Sequence, residues 1–262
     1  MLAVGIAAGL LLKEYVFMLL FVGFLLAMRA FLIVRSREEG WQMTIEIVSV
    51  NIGKPQRVQY RGRELSTGIW KTPVEGLLHL SYSNLEGDGQ ADLVHHGGRD
   101  KALCVYAYEH YPFWERELKR PLAYGAFGEN LTVRGLPETE VCIGDIFRFG
   151  EAVVQVSQPR QPCFKLAVKY GVPELPVKVQ ETGFTGYYFR VLQEGEVSPK
   201  DGLIRVFRHP KAVTVSFANR IMHHDKQNAE GIQRILDVEE LSGSWQETLR
   251  KRLAGIGNDA PH

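Results

Sequence analysis

Between residues 43 and 209 the chain is a series of short apolar stretches separated by turn residues. The clearest stretches are residues 45–50, 76–80, 103–108, 130–134, 145–149 and 152–156. Short runs of this kind, bounded by glycine, proline or asparagine, are typical of strands, and a long series of them predicts an all-β core. We therefore expect a β barrel or a β sandwich over this part of the chain.

Two pairs of these stretches predict hairpins. Residues 145–149 and 152–156 flank a Gly-Glu turn, and residues 187–192 and 202–207 flank the sequence QEGE. Apolar stretches joined by a few turn residues usually pair with each other as antiparallel strands.

Helical spacing interrupts the strand pattern. Residues 109–119 carry Tyr111, Trp114 and Leu118 about one turn apart, which predicts an amphipathic helix packed on the barrel rather than an aromatic stacking platform. Shorter helices are predicted over residues 164–170 and 174–181.

After Pro210 the apolar spacing becomes that of helices throughout. Apolar residues recur at 217 and 221, at 232, 235 and 236, and at 241, 245, 249 and 253. Asn228 and either Ser242 or Ser244 are suitable helix starts, and Gly255 is a suitable stop. The pattern predicts a small three-helix C-terminal domain. The predicted domains are residues 43–209 and 210–256, with residues 257–262 as a tail.

Residues 1–42 differ from the rest of the chain. Residues 15–34 are almost wholly apolar and long enough to span a bilayer, although Arg29 makes such a span costly. A cleavable secretory signal fits badly because the apolar run is too long. Two interpretations stay open. Either the segment anchors the protein to a membrane, or translation begins at Met43, after codons for EEG that can resemble a ribosome-binding site, and the protein is cytoplasmic.

Charge and cysteine content narrow the function classes. With 31 basic and 30 acidic residues the net charge is +1, so nucleic-acid binding is not expected. The cysteines Cys104, Cys142 and Cys163 show no CxxC spacing, which argues against structural zinc and against a disulfide framework. Cys104 and Cys142 lie among apolar residues and are expected to be buried.

Cys163 has a different setting, within the sequence PRQPCFK at residues 159–165. Arg160 and Lys165 can favour its thiolate, although a cysteine that only begins the following helix stays an alternative. A second polar cluster, HGGRDKA at residues 96–102, combines a histidine, two glycines and cations. Glycines let main-chain N–H groups approach an anion closely, so the two clusters together predict a thiolate beside an anion-binding pocket.

These motifs resemble those of the MOSC domain, which is found at the C-terminus of molybdenum-cofactor sulfurases. The resemblance is carried by HGGRDKA (96–102), GENLT (128–132), IGD (143–145) and QPRQPC (158–163). The sequences TGIWK (67–71) and EGDGQAD (86–92) narrow it to the bacterial YiiM branch, whose members also end in a three-helix module. The resemblance covers Met43 to the C-terminus.

The resemblance implies a β-barrel-rich α+β fold of the MOSC type that holds a pterin-bound molybdenum cofactor. It also implies the reduction of small N-hydroxylated compounds, including 6-hydroxylaminopurine. Carried over to this sequence, Cys163 becomes the metal ligand, and His96 and Arg160 complete an Arg–His–Cys set. His96 is preferred over His95 because adjacent strand residues point to opposite faces and His96 adjoins the glycines. With an ordinary pKa of about 6.5, His96 suits proton delivery near neutral pH.

Further residues are candidates for holding the anionic cofactor. They are Lys71, Gly97, Gly98, Arg99, Lys101, Asn130 and Arg160. For Asn130, orienting the cofactor and closing a turn stay equally open, and Asp100, between Arg99 and Lys101, is expected to be an ion-paired scaffold residue.

No flavin, haem or iron–sulfur motif is visible in the sequence, so an external electron-donating reductase is expected as a partner. A homodimer is left open. The alternative function is a cofactor carrier or sulfur-transfer protein in which Cys163 holds a persulfide. A DNA-binding role for the C-terminal helices rests only on Arg250, Lys251 and Arg252, which a solvated helix end explains better.

Overall fold

A computed structural model describes residues 44–89 and 97–258. The apolar segment at residues 1–42 and the two histidines His95 and His96 lie outside these ranges. Within the two ranges, no helix combines the length and the apolar character needed to cross a membrane.

The described residues form twelve strands. They are β1 (Thr44–Ile52), β2 (Gln56–Tyr60), β3 (Arg63–Thr67), β4 (Thr72–Val74), β5 (Leu78–Leu80), β6 (Leu103–Ala107), β7 (Leu131–Arg134), β8 (Ile146–Phe149), β9 (Ala152–Pro159), β10 (Tyr187–Gln193), β11 (Gly195–Val197) and β12 (Leu203–Phe207).

Seven of these strands close into a barrel, which confirms the predicted fold class. Their order is β12-β8-β9-β10-β6-β7-β1, and β1 pairs with β12 to complete the ring. All neighbours are antiparallel except β6 and β7, which run parallel. Closure leaves no open sheet edge within the ring, and the interior is filled by side chains from every strand. Fully buried aromatic examples are Phe147, Phe149, Tyr187 and Phe189.

The other five strands lie outside the ring. β4 extends the sheet beside β1, β5 pairs with β11, and β2 and β3 form a separate hairpin. The β2–β3 hairpin was not predicted, because its alternation of polar and small residues carries a weak strand signal.

Of the two predicted hairpins, the first is confirmed and the second is wrong. β8 and β9 pair directly through residues 146–149 and 152–155. In contrast, β10 lies between β9 and β6, whereas β12 lies between β8 and β1. The chain between them forms β11, which pairs with the distant β5. Barrel closure therefore overrode the local turn signal.

Three helices lie within the barrel region: α1 (Tyr111–Leu118), α2 (Lys165–Tyr170) and α3 (Leu175–Thr182). Tyr111 and Trp114 are buried in a cluster that includes Phe127 and Leu166, so α1 packs by its apolar face as predicted. A short 3-10 helix, Tyr108–His110, precedes α1.

Three more helices follow the last strand, as predicted: α4 (Val215–His223), α5 (Ala229–Leu236) and α6 (Gly243–Asn258). The side chain of Asn228 accepts a hydrogen bond from the main-chain N–H of Gly231, and Ser242 Oγ accepts one from Trp245, so both are N-caps. The predicted stop at Gly255 is wrong, since α6 continues to Asn258.

The three helices contact the barrel through the main chain. Val215 donates to the carbonyl of Val141 at 3.0 Å, and Ile143 donates to Val213 at 2.9 Å. Ser242 donates to Ser157 on β9 at 3.0 Å. The described residues from Thr44 onward belong to one compact unit. The domain boundary near Pro210 stays a prediction.

Candidate active site

A cleft of about 560 Å³ lies at the end of β9, where that strand gives way to the loop before α2. Residues from six separate parts of the chain line it: Thr67, Gly68, Ile69, Lys71, Asp88, Gly89, Lys101, Cys104, Gly128, Asn130, Arg160, Cys163, Lys165 and Tyr188. Among these residues are four cations and one carboxylate, so the lining carries a formal charge of +3.

Cys163 is the one partly exposed cysteine of the three, and it faces this cleft. Its carbonyl accepts a hydrogen bond from the N–H of Leu166 at 3.1 Å, which ties it to the first turn of α2. Cys163 therefore lies in the turn that leads into α2, whose N-cap is Phe164, and its thiol faces the cleft.

Arg160 is 7% exposed and lies in the same cleft. Its guanidinium is hydrogen-bonded to Tyr188, and within residues 44–89 and 97–258 no carboxylate is in salt-bridge contact with it. Burial lowers the pKa of Arg160. Nearby thiol, phenol and carboxyl groups raise it by a larger amount, so the net shift of the pKa is upward. These groups belong to Cys104, Tyr188, Cys163 and Glu129. Arg160 therefore stays charged and available to an anionic ligand.

The main chain of Arg160 is held by a series of buried hydrogen bonds that ends at Glu138 and His110. Its N–H donates to the carbonyl of Gly186 at 3.0 Å, and the N–H of Gly186 donates to Glu138 at 2.7 Å. The second carboxylate oxygen of Glu138 contacts His110 Nε2 at 2.6 Å. Gly186 has φ of 73°, and a Cβ there would strike the carbonyl of Val105. This arrangement fixes the strand end that carries Arg160.

Lys71 and Asn130 line the cleft but are bonded within the protein. Lys71 forms an ion pair with Asp88, whose other oxygen accepts from Asn130 Nδ2 at 2.9 Å. The Asn130 side-chain oxygen accepts from the N–H of Cys104 at 3.0 Å. Asn130 thus ties β6 to the loop that carries Asp88, and its assignment as a cofactor contact stays a prediction.

The HGGRDKA cluster is only partly at the cleft. Arg99–Lys101 form a 3-10 helix that follows Gly98, and among the described residues of this cluster Lys101 lines the cleft. The guanidinium of Arg99 lies 4.7 Å from the centre of the Tyr82 ring. The structure does not bring Gly97, Gly98 or Arg99 to the cleft lining, and His96 falls outside the described residues.

Asp100 is ion-paired, as expected for a scaffold residue. Its carboxylate contacts the guanidinium of Arg190 on β10 at 2.8 Å rather than a neighbour in sequence.

Sequence reasoning did not assign nine of the cleft residues, among them Asp88, Cys104, Lys165 and Tyr188. Cys104 is buried as predicted, and burial raises the pKa of its thiol to about 11. It nonetheless lines the cleft. The sequence predicts only that Lys165 favours the thiolate of Cys163. Asp88 lies in the EGDGQAD motif, which carries no predicted role for its carboxylate. Tyr188 has no distinguishing signal in the sequence, because its position depends on the pairing of β10 with β9.

A buried carboxylate, Glu129, shapes the far wall of the cleft. It accepts from the N–H groups of Gly125 and Phe127 at 3.1 and 2.9 Å, from Thr132 at 3.0 Å, and from the hydroxyl of Tyr111. These bonds hold the loop that ends at Gly128, whose φ is 77° and whose backbone packs closely on Ile69.

Helix α2 forms hydrogen bonds to the same wall of the cleft. Lys169 Nζ donates to the carbonyls of Gly125 and Ile69 at 2.9 and 3.3 Å, and the Tyr170 hydroxyl donates to Ala126 at 2.9 Å. Burial lowers the pKa of Lys169 from 10.5 to about 8. The helix that starts beside Cys163 thus connects both walls of the cleft.

Comparison with known proteins identifies two matching families. The MOSC domain profile matches residues 92–203, and the profile of the YiiM-like 3-alpha helix domain matches residues 213–255.

Two bacterial relatives match along most of their length. The Bacillus subtilis protein YflK is 57% identical over 211 residues, which cover 80% of this chain and 96% of that protein. YiiM of Escherichia coli is 41% identical over 189 residues, which cover 71% of this chain and 84% of that protein.

Solved structures agree with these matches. The crystal structure of YiiM from Geobacillus stearothermophilus has a TM-score of 0.69 and 44% identity, covering 80% of this chain and 99% of that one. YiiM from Escherichia coli has a TM-score of 0.67 and 36% identity, with 81% and 94% covered. The barrel with its three C-terminal helices is therefore a fold shared with these proteins.

Proposed function

The chain belongs to the YiiM branch of the MOSC-domain family, and from this we propose that it is a molybdenum-cofactor-dependent reductase of N-hydroxylated compounds such as hydroxylamine and 6-hydroxylaminopurine. The observation that carries the proposal is the partly exposed thiol of Cys163 inside a cationic cleft. A fungal protein named reductase, from Gibberella moniliformis, adds support: it is 36% identical over 155 residues, which cover 57% of this chain and 28% of that longer protein.

The cleft residues fit such a cofactor. Within the described ranges no three His, Cys, Asp or Glu side chains are grouped so that they could hold a metal ion. A pterin dithiolene brings sulfur ligands to its metal, and the Cys163 thiolate is a suitable further ligand for a metal already bound to sulfur. The formal charge of +3 on the lining suits a ligand that carries phosphate.

We assign roles to the residues on this basis. Cys163 would bind the metal, and Arg160, Lys101 and Lys165 would hold the anionic part of the cofactor. When bound, the cofactor supplies the two-electron chemistry that converts an N–OH group to an amine and water. His96 is proposed to deliver protons, and an external reductase is proposed to supply electrons.

Replacing Cys163 by serine tests the assignment. We expect Cys163→Ser to keep the urea unfolding midpoint of the wild type, because the side chain is partly exposed, but to lose bound molybdenum and at least about 100-fold of the hydroxylamine reduction rate. Molybdenum is measured by elemental analysis and the rate with a chemical reductant. Cys142→Ala, which alters a buried thiol outside the cleft, should keep both. Wild-type activity in Cys163→Ser would refute the ligand role.

The same exposed thiol also suits a sulfur carrier, which is the second candidate function. A carrier would contain cyanide-labile sulfur on Cys163 without stoichiometric molybdenum. Elemental analysis and cyanide treatment of the freshly purified protein separate the two functions.

A further inference from the structure

A second groove adjoins the cleft on the side of the β2–β3 hairpin. This hairpin groove has a volume of about 880 Å³ and is lined by Tyr60, Arg61, Arg63, Glu64, Leu65 and Phe164. Two segments of the chain contribute residues to both the groove and the cleft. Phe164 directly follows Cys163, and β3 carries Leu65 in the groove and Thr67 in the cleft.

Two aromatic rings are in contact in this groove. The ring centre of Phe164 lies 6.4 Å from that of Tyr60, with 35° between the ring planes, which is the spacing of a packed aromatic pair. Phe164 is nonetheless 52% exposed, so one face of the pair is open to a further planar ring.

The groove is also cationic. Its only carboxylate among the described lining residues, Glu64, forms an ion pair with Arg57 at 3.3 Å. No described carboxylate is in salt-bridge contact with Arg61 or Arg63. The guanidinium of Arg61 lies 5.2 Å from the centre of the Tyr60 ring, next to the place where a stacked ring would enter. A guanidinium is well suited to binding phosphate.

We propose that the hairpin groove binds a nucleoside monophosphate, with its base stacked on the open face of Phe164 and its phosphate at Arg61 and Arg63. This rests on the proposed function, and it means that the purine substrate reaches the cleft as an N-hydroxylated nucleotide. Phe164 and Cys163 are neighbours in the turn before α2, so one turn of the chain carries the stacking ring and the thiol. The nucleotide part of a cofactor has the same chemistry, and the experiment separates the two sources.

Calorimetric titration of the full-length, cofactor-loaded protein with AMP, adenosine and ribose 5-phosphate tests the proposal. We expect AMP to bind at least about tenfold more tightly than either fragment. Phe164→Ala should weaken AMP and adenosine by about 5- to 150-fold, the effect of losing one base–aromatic stack. Arg63→Gln should weaken AMP and ribose 5-phosphate but not adenosine.

Two control variants are matched to these changes. Val177 on α3 has the same exposed fraction as Phe164, 52%, so Val177→Ala removes exposed apolar surface outside the groove. Arg116→Gln removes an exposed arginine on α1. Neither should change AMP binding.

Three results would overturn the proposal. The first is AMP affinity that is the same in Phe164→Ala as in the wild type, or no detectable binding at millimolar AMP. The second is AMP binding only after cofactor removal, which would assign the groove to the cofactor nucleotide. The third is a dimer, seen by light scattering, that Phe164→Ala dissociates without changing AMP affinity.

The binding assay needs no turnover, so the nucleotide site and the proposed function can be refuted independently of each other. AMP binding without N–OH reduction would support the nucleotide site and refute the proposed reductase activity. Reduction of hydroxylamine by a protein that binds no AMP would do the reverse.

Discussion

At the scale of single residues, environment decides what identical side chains do. Burial raises the pKa of Cys104 to about 11, whereas Cys163, in the same cleft, is partly exposed at the start of a helix. Two carboxylates near the cleft also differ in their surroundings. Asp88 balances Lys71 inside the cleft, and Glu129 is buried behind its wall with four hydrogen-bond donors around it.

Glu129→Gln tests how far that carboxylate stabilises the wall. The amide oxygen can keep the three donors now on Oε1, but the NH₂ group would face the N–H of Phe127 in place of Oε2. Two donors facing each other in a buried site should lower the free energy of unfolding by about 1–3 kcal/mol. Urea denaturation measures it. Glu140→Gln, at an exposed position, is the control, and an equal stability of both variants would contradict the argument.

At the scale of elements, α2 connects the two sides of the site over only six residues. Its first turn follows Cys163, and its last turn hydrogen-bonds three carbonyls of the opposite wall through Lys169 and Tyr170. Any movement of this helix therefore moves the thiol and the wall together.

Lys169 gives this helix a testable dependence on pH. Since its pKa is lowered from 10.5 to about 8 in the folded state, the unfolded chain binds more protons between these values. Stability from this group is therefore full above about pH 10.5 and is lost as the pH falls through about 8. Denaturation from pH 7 to 10.5 should show the wild type gaining stability relative to Lys169→Met.

The matching control for this measurement is Lys178→Met on α3, which removes an exposed lysine paired with Glu117. Its stability should run parallel to that of the wild type across the same pH range. Parallel curves for Lys169→Met as well would show that Lys169 does not titrate in this window.

At the scale of the whole molecule, the three C-terminal helices are attached to the strands that carry the site. Ser242 bonds to Ser157 on β9, three residues before Arg160, and Asn219 Nδ2 donates to Thr185 at 2.8 Å, next to Gly186. The helical core also includes Ile143 from the barrel. We therefore expect the helices and the barrel to unfold together.

Ile235→Ala tests this coupling, since Ile235 is fully buried in the helical core. The cavity should cost about 2–5 kcal/mol. Hydrogen exchange measured by mass spectrometry should then accelerate in peptides from β9 as well as in those from α5. Val206→Ala, at an exposed position on β12, should change neither. Faster exchange confined to α4–α6 would show that the two parts unfold independently.

Local patterns were sufficient for much of this structure. Strands such as β1 and β6, the β8–β9 hairpin, the amphipathic helix α1 and the caps at Asn228 and Ser242 follow from neighbouring residues, because alternation, turn residues and capping act over a few positions. The ordered motifs around Cys163 and Lys101 were likewise sufficient to identify the family.

The sequence by itself therefore determined most of the elements from short-range spacing. Motif order determined the family and, through it, the barrel class, which the strand pattern alone left open between barrel and sandwich. Only the tertiary structure decided that β10 and β12 lie apart, that Lys165 and Tyr188 face the cleft while Arg99 does not, and that Phe164 meets Tyr60. The physical reason is that barrel closure sets strand pairing over long distances, and pairing fixes which face each side chain occupies.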